Sequence, residues 1–184
     1  CPSCCHVCWH EQAEAFLKRS KHLHNDKDDF RTPMFLIRYL KSLYGEGLRD
    51  GACIEENKKG EPVNVFNPGP IASNEWIYIN PPFDTPSILK FVEAGVELAK
   101  RNTVVFLLPN KMCQKGFCLN VMPHFDEVIL LGGRINFEGP YSTKGGTSMN
   151  GCFFGVIYAD VMKKNENPVI YPLTLSDLKK EWEC

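Results

Sequence analysis

The stretch WIYINPPF at residues 76–83 joins four apolar residues to an amide, two prolines and an aromatic ring. We predict that a strand ends at Ile79, because the apolar run stops there and a new helix follows. Prolines fix φ and lack an N–H donor, so this turn is stiff and its carbonyl oxygens point outward. The side chain of Asn80 and the carbonyl of Pro81 can accept hydrogen bonds from an amino group, and Phe83 offers a ring for stacking. An ordinary proline turn after a strand has the same sequence, so the interpretation depends on the rest of the chain.

Helix signals lie on both sides of this turn. Thr32 is predicted to be the N-cap of a helix that begins at Pro33 and continues through residues 34–44. Residues 84–86 (Asp-Thr-Pro) predict the same kind of start for a helix that runs to about Lys100. Apolar residues recur at helical spacing in both segments, so each helix is expected to pack against the core.

Continuous apolar runs predict buried strands at residues 103–108 (TVVFLL) and 152–158 (CFFGVIY). Further elements are predicted at the following positions: a short strand at 48–53, a strand at 127–131, and helices at 115–122 and 176–183. Residues 54–75 are predicted to be a long loop. Strands that alternate with helices predict an α/β fold with a Rossmann-like, doubly wound, mostly parallel sheet.

The composition favours a single domain with a core, since the chain has 184 residues of which 43% are hydrophobic. No apolar run is long enough to span a membrane and no signal peptide is visible, so no membrane partner is expected. The net charge of -1 excludes a global attraction to nucleic acid, and a polyanion would have to be held by a local patch. The chain begins at Cys1 and not at a methionine, which is compatible with a fragment of a longer protein.

Cysteines and histidines crowd the beginning of the chain, CPSCCHVCWH. Its two overlapping C-x2-C pairs are typical of the thiolate knuckles that supply two of four zinc ligands. Cys5, Cys8, His22 and His24 resemble a structural zinc site, although only one residue separates the two histidines. A reduced cysteine-rich tail with solvated histidines is the alternative.

The other cysteines are scattered among apolar neighbours, which is typical of reduced cysteines in an intracellular protein. The expected location is nuclear or cytoplasmic, or a host cell if the protein is viral. We predict that residues 1–26 form a small Cys/His-rich appendage and that residues 27–184 form the main domain.

Six short patterns also follow one another in a recognisable order: DDFRTP (28–33), LRDGAC (48–53), YINPPFD (78–84), VVFLLPNK (104–111), ILLGGRINF (129–137) and CFFGVIY (152–158). Together they resemble the phage-type DNA N6-adenine methyltransferases over about residues 28–160. The most specific part is NPPF with its spacing from the flanking motifs. The resemblance implies a class I methyltransferase-like fold and methyl transfer from S-adenosylmethionine to the N6 amino group of adenine in DNA.

The resemblance also implies roles for the residues of the turn. Asn80 and the Pro81 carbonyl would accept hydrogen bonds from adenine N6, Phe83 would stack on the base, and Pro82 completes the catalytic motif. These bonds direct the amino lone pair at the methyl group, so neither a covalent nucleophile nor a catalytic metal is required. A target adenine in a duplex would have to be flipped out to reach Phe83.

Two segments would border the methyl donor on opposite sides: Asp50, Gly51 and Ala52, and Phe30, Thr32 and Pro33. Many methyltransferases carry several glycines after the acid of their first motif, whereas this chain has only Gly51 there. This departure puts the donor contacts in doubt more than the class of enzyme.

Three basic residues are candidate substrate contacts. Arg134 follows a strand beside two glycines and is expected to contact phosphate or the base pocket, and Lys111 and Lys144 are expected to contact phosphate. Solvated surface side chains are the alternative for all three. No long insertion suggests a target-recognition domain, so specificity is expected from the loops, the N-terminal segment or an additional partner.

Other functions fit the same motifs. The amino acceptor could be an RNA adenine or the side-chain amide of a protein glutamine. A different alternative is a non-catalytic, zinc-tethered nucleic-acid-binding module with a degenerate methyltransferase fold. The intact NPPF argues against degeneration and the single glycine after Asp50 argues for it, so affinity for the donor separates the two.

Overall fold

A computed structural model of the chain describes residues 31–52, 59–137, 151–162 and 168–182. The predictions for the remaining site residues fall outside these ranges: Phe30, Lys144, Cys5, Cys8, His22 and His24. The helices are α1 (Met34–Tyr44), α2 (Thr85–Leu98), α3 (Lys115–Asn120) and α4 (Leu175–Trp182). The strands are β1 (Leu48–Asp50), β2 (Glu61–Pro62), β3 (Trp76–Ile79), β4 (Val104–Pro109), β5 (Glu127–Gly132), β6 (Cys152–Ile157) and β7 (Val169–Thr174).

The strands of the described part form one sheet in the order β2-β1-β3-β4-β6-β5-β7. Neighbouring strands are parallel, except that β6 runs antiparallel to both β4 and β5. The predicted α/β class with a mostly parallel sheet is therefore confirmed. Every residue of β3, β4 and β6 is buried, and for β4 and β6 this confirms the burial that their continuous apolar sequences predict.

Helices cover both faces of the sheet. Leu36 of α1 and Leu175 of α4 belong to one cluster of buried residues, and Ile88 of α2 and Phe117 of α3 belong to the other. Successive residues of β3 and β4 alternate between the two clusters, because side chains alternate across a strand. Within the described ranges, none of the helices has the length and apolar character needed to cross a membrane.

The two edge strands are not predicted by the sequence pattern. β2 contains Pro62 and β7 contains Pro172, and proline is tolerated in a sheet where one side of the strand has no neighbour. Because of these prolines, a search for continuous apolar runs does not detect either strand. The prediction that residues 54–75 form one long loop is wrong in this respect, because β2 lies within that range.

The start of α1 also differs from the prediction. The helix begins at Met34 with Pro33 in the N-cap position, and no side chain caps it. Thr32 is not the N-cap, because its hydroxyl is hydrogen-bonded to Tyr78 instead. By contrast, α2 is capped as predicted, with the Asp84 carboxylate accepting a hydrogen bond of 2.8 Å from the Ser87 amide.

One edge of the sheet collects the ends of several strands. The carboxyl ends of β1, β3 and β4 lie there, and β6 begins there because Pro109 pairs with Cys152. The chain leaves β1 toward β2, whereas it leaves β3 in the opposite direction toward β4. Such diverging connections open a crevice between two strand ends, which is where α/β proteins bind ligands. Residues 50–52 and 80–83 both start at this crevice.

Candidate active site

The turn that follows β3 carries an unsatisfied acceptor. Asn80 Nδ2 donates a hydrogen bond of 3.3 Å to Thr32 Oγ1. The other amide atom, Asn80 Oδ1, is buried and has no hydrogen-bond partner in the described part of the protein. A buried polar atom without a partner costs about 1–3 kcal/mol, so its place in a native fold calls for a function. Asn80 Oδ1 is therefore free to accept a further hydrogen bond.

A short chain of hydrogen bonds fixes the orientation of this amide. Thr32, which is 2% exposed, shares a hydrogen bond of 2.7 Å with the hydroxyl of Tyr78. Burial raises the pKa of Tyr78 well above its ordinary value, and the hydrogen bond with Thr32 offsets only part of this effect. The tyrosine therefore stays neutral, and it ties the segment before α1 to β3.

The ring and carbonyl of Phe83 have separate partners. The ring packs edge-to-face on Phe137, with centroids 6.0 Å apart and planes at 74°. The carbonyl oxygen accepts a hydrogen bond of 2.7 Å from Lys111 Nζ. Pro81 is buried and Pro82 is exposed, so the turn is anchored at both ends and open at its tip.

The phosphate contact predicted for Lys111 stays a prediction, and the structure shows a different contact for this residue. The ammonium group, placed just beyond β4, uses one of its three N–H donors to hold the carbonyl of Phe83. The structure thus gives Lys111 a part in shaping the turn that its sequence position does not reveal.

The stretch predicted to border the methyl donor lies at the end of β1. The carboxylate of Asp50 is 4% exposed and accepts hydrogen bonds from the amides of Ala52 and Lys59, at 3.3 and 2.7 Å. Burial raises the pKa of Asp50, and the two amide bonds oppose that shift. Asp50 therefore shapes the loop after β1 through the backbone.

Gly51 brings the ends of β1 and β3 together. Its amide donates a hydrogen bond of 2.8 Å to the carbonyl of Tyr78. A Cβ atom at this position would lie 2.5 Å from Val65 Cγ1 and 3.0 Å from Ile79 Cγ1. Only glycine fits, so close packing at the crevice explains this residue.

Arg134 lies at the same edge as the turn, just after β5. It is exposed, and it follows Gly133, whose φ of 121° is in the region that favours glycine. Arg134 makes no hydrogen bond or ion pair to the described residues, which leaves its guanidinium accessible to a polyanion. The predicted phosphate contact fits this position and stays a prediction.

Two residues near the turn are not found by the sequence reasoning. One is Tyr78, whose signal is a hydroxyl within an otherwise apolar strand that needs a partner once buried. The other is Arg31, whose Nε atom is buried without a hydrogen-bond partner in the part of the chain that is described. No group of three or more metal-ligating side chains occurs among the described residues, and the predicted zinc ligands lie outside them.

A sequence model of one protein family, DNA N-6-adenine-methyltransferase (Dam), matches residues 19–170. The matched range contains β1 to β6, the turn at 80–83 and Arg134. It begins after Cys5 and Cys8. No curated protein and no solved structure matches the chain.

Proposed function

This chain belongs to the DNA N-6-adenine-methyltransferase (Dam) family, and we propose that it transfers a methyl group from S-adenosylmethionine to the N6 amino group of a flipped adenine in DNA. In this proposal the sheet with helices on both faces is a Rossmann-like, doubly wound fold of the class I methyltransferase type. The residues at 80–83 hold the base, and the crevice between β1 and β3 holds the donor.

The unpaired Oδ1 atom of Asn80 is the observation that supports this proposal most strongly. An exocyclic amino group carries two N–H donors, and Asn80 Oδ1 and the carbonyl of Pro81 can each accept one of them. Two acceptors on the hydrogens leave the nitrogen lone pair directed away from the turn, toward a methyl group placed in the crevice. The bonds Asn80–Thr32 and Thr32–Tyr78 keep the amide in that orientation.

S-Adenosylmethionine supplies a methyl group on a positively charged sulfur, so no nucleophile or metal of the protein is needed. The buried Nε of Arg31, which has no hydrogen-bond partner in the described part of the protein, is a donor that such a cofactor can satisfy. The protein's own contribution is orientation of the amino group and exclusion of water from it. Phe83, held by Lys111 and Phe137, offers its ring to the base.

The test of the function is a methyl-transfer assay with labelled donor on duplex DNA, single-stranded DNA, RNA and protein, with the product identified by mass spectrometry. The expected product is N6-methyladenine in DNA. Methylation of RNA alone, or of protein glutamine alone, would mean that DNA is not the substrate. An absence of donor binding would indicate a degenerate binding module.

Zinc binding by Cys5, Cys8, His22 and His24 remains a separate proposal, supported by the C-x2-C spacing of the first ten residues. Metal analysis of the purified chain tests it. About one zinc per chain that is lost in a Cys5→Ser, Cys8→Ser variant is the expected result, and a metal content unchanged by these substitutions would contradict it.

A further inference from the structure

Arg31 presents a buried donor that the described fold does not use. Its Nε–H is buried and has no acceptor, and the side chain forms no ion pair with the described residues. Arg31 directly precedes Thr32, which is hydrogen-bonded to both Tyr78 and Asn80. The unpaired donor of Arg31 thus belongs to the residue next to Thr32 in sequence, and Thr32 accepts a hydrogen bond from Asn80, which carries the unpaired acceptor.

The other arginines of the described ranges do not share this condition. Arg49 is half-buried but pairs with Glu75 at 2.9 Å, and Arg38 donates to the carbonyl of Trp182 at 3.0 Å. Arg101 and Arg134 are exposed, so water can satisfy their donors. Arg31 is half-buried, and burying its Nε–H without an acceptor is costly because the desolvation penalty of that donor is not repaid. Arg31 therefore has the environment of a residue that acquires its partner from a ligand.

The chemistry of the donor group points to an oxyanion. A guanidinium offers Nε–H and a terminal N–H as two parallel donors, which match the two oxygens of a carboxylate. The carboxylate of Asp50 accepts hydrogen bonds from the amides of Ala52 and Lys59. The partner of Arg31 has to come from outside the described chain.

We infer that Arg31 binds the carboxylate at the amino-acid end of the methyl donor, an inference that rests on the proposed use of S-adenosylmethionine. A buried Nε can be reached by a small terminal group, and a carboxylate is such a group. A phosphodiester carries a sugar on each side and fits a buried donor less well. Arg31 then holds one reactant, and Asn80, which is hydrogen-bonded to the neighbouring Thr32, holds the other.

The test compares two donors that differ only in this group, S-adenosylmethionine and its decarboxylated form, by calorimetric titration in the absence of DNA. Replacing Arg31 with methionine keeps an unbranched side chain that reaches about as far as Nε and removes the guanidinium donors. We expect Arg31→Met to weaken S-adenosylmethionine binding about 10- to 100-fold and to leave binding of the decarboxylated form unchanged. Arg101→Met, which removes an exposed arginine, is the matched control and is expected to alter neither affinity.

Each other outcome overturns the inference. Equal losses for both donors would show a structural role, and unchanged donor affinity with a raised KM for DNA would show a phosphate contact. If Arg31→Met does not fold, as judged by thermal melting, Arg31→Lys keeps the charge but not the fork and is expected to lose several-fold affinity for the carboxylated donor only. If the wild-type chain binds neither donor, the proposed function itself is contradicted. If the wild-type chain binds S-adenosylmethionine and both Arg31→Met and Arg31→Lys bind it equally well, only the role of Arg31 is contradicted.

Discussion

The ammonium group of Lys111 donates a hydrogen bond of 2.7 Å to the carbonyl oxygen of Phe83. This bond links the loop after β4 to the turn after β3, and it holds the aromatic residue that is proposed to stack on the base. Because parallel strands β3 and β4 are neighbours, their following loops meet at the same edge of the sheet. Lys111 is therefore placed to act on the reaction through the shape of the turn.

Lys111→Met should lower kcat by about 10-fold or more, with little change in donor affinity, because Phe83 loses the bond that fixes its backbone. Lys115→Met, an exposed lysine at the start of α3, is the control and should retain wild-type kcat. Single-turnover kinetics at several salt concentrations provide the measurement. A change confined to the KM for DNA and to its salt dependence would assign Lys111 to phosphate binding instead.

Asn80→Ala removes the amide that is proposed to hold the amino group. Turnover should fall about 10²- to 10³-fold, the usual cost of removing one preorganised hydrogen-bonding group, while donor affinity changes little. Asn120→Ala, at an exposed position at the end of α3, serves as control. Turnover at the wild-type level in the Asn80 variant would refute the catalytic assignment.

Thr32→Val removes a hydroxyl and keeps the shape of the side chain. The hydroxyl of Tyr78 is then buried without its partner, so the free energy of unfolding should fall by about 1–3 kcal/mol. The double variant with Tyr78→Phe should lose less stability than the sum of the two single variants, since they remove the same bond. Urea denaturation of the four proteins measures this coupling, and strictly additive losses would show that the bond contributes nothing.

At the end of β1, Gly51→Ala places a methyl group 2.5 Å from Val65 Cγ1. Overpacking of this kind should lower the free energy of unfolding by about 1–3 kcal/mol. Gly69→Ala, at an exposed position with no atom within 4 Å of the new methyl group, should be neutral or slightly stabilising. Thermal melting of both variants measures this difference in stability. Equal stability of the two variants would show that the backbone at Gly51 shifts freely.

The hydroxyl of Tyr158 donates a hydrogen bond to Glu127. Burial, that hydrogen bond and the charge of Glu127 raise the pKa of Tyr158 from 10.0 to about 12. In the unfolded chain the tyrosine loses its proton from about pH 10, whereas the folded protein retains it until about pH 12. Deprotonation therefore favours unfolding across this interval, and the contribution of Tyr158 to stability is complete only below about pH 10.

The free energy of unfolding should accordingly fall as the pH rises above about 10, and Tyr158→Phe should fall less steeply over the same range. Urea denaturation at pH 9, 10 and 11 provides the comparison. Identical slopes for the two proteins would mean that Tyr158 titrates alike in the folded and unfolded states.

Local patterns in the sequence are sufficient for the centre of this fold. Two central strands, β4 and β6, are continuous apolar runs that predict burial on both faces, and β3 ends where the prolines begin. Asp84 caps α2 through a contact only three residues away. The position of the turn at 80–83 follows from such short-range signals, whereas the family resemblance also depends on the order of the motifs along residues 28–160.

Contacts between distant residues required the tertiary structure. Thr32 has the sequence context of an N-cap, yet its hydroxyl is bonded to Tyr78, 46 positions later. Lys111 reaches back 28 positions to Phe83. Both contacts depend on which strands are neighbours in the sheet, and strand order is set by packing on two faces that no local pattern encodes. The sequence alone therefore determined which four residues form the turn, whereas strand pairing decided which side chains hold it and left the buried atoms of Asn80 and Arg31 without partners among the described residues.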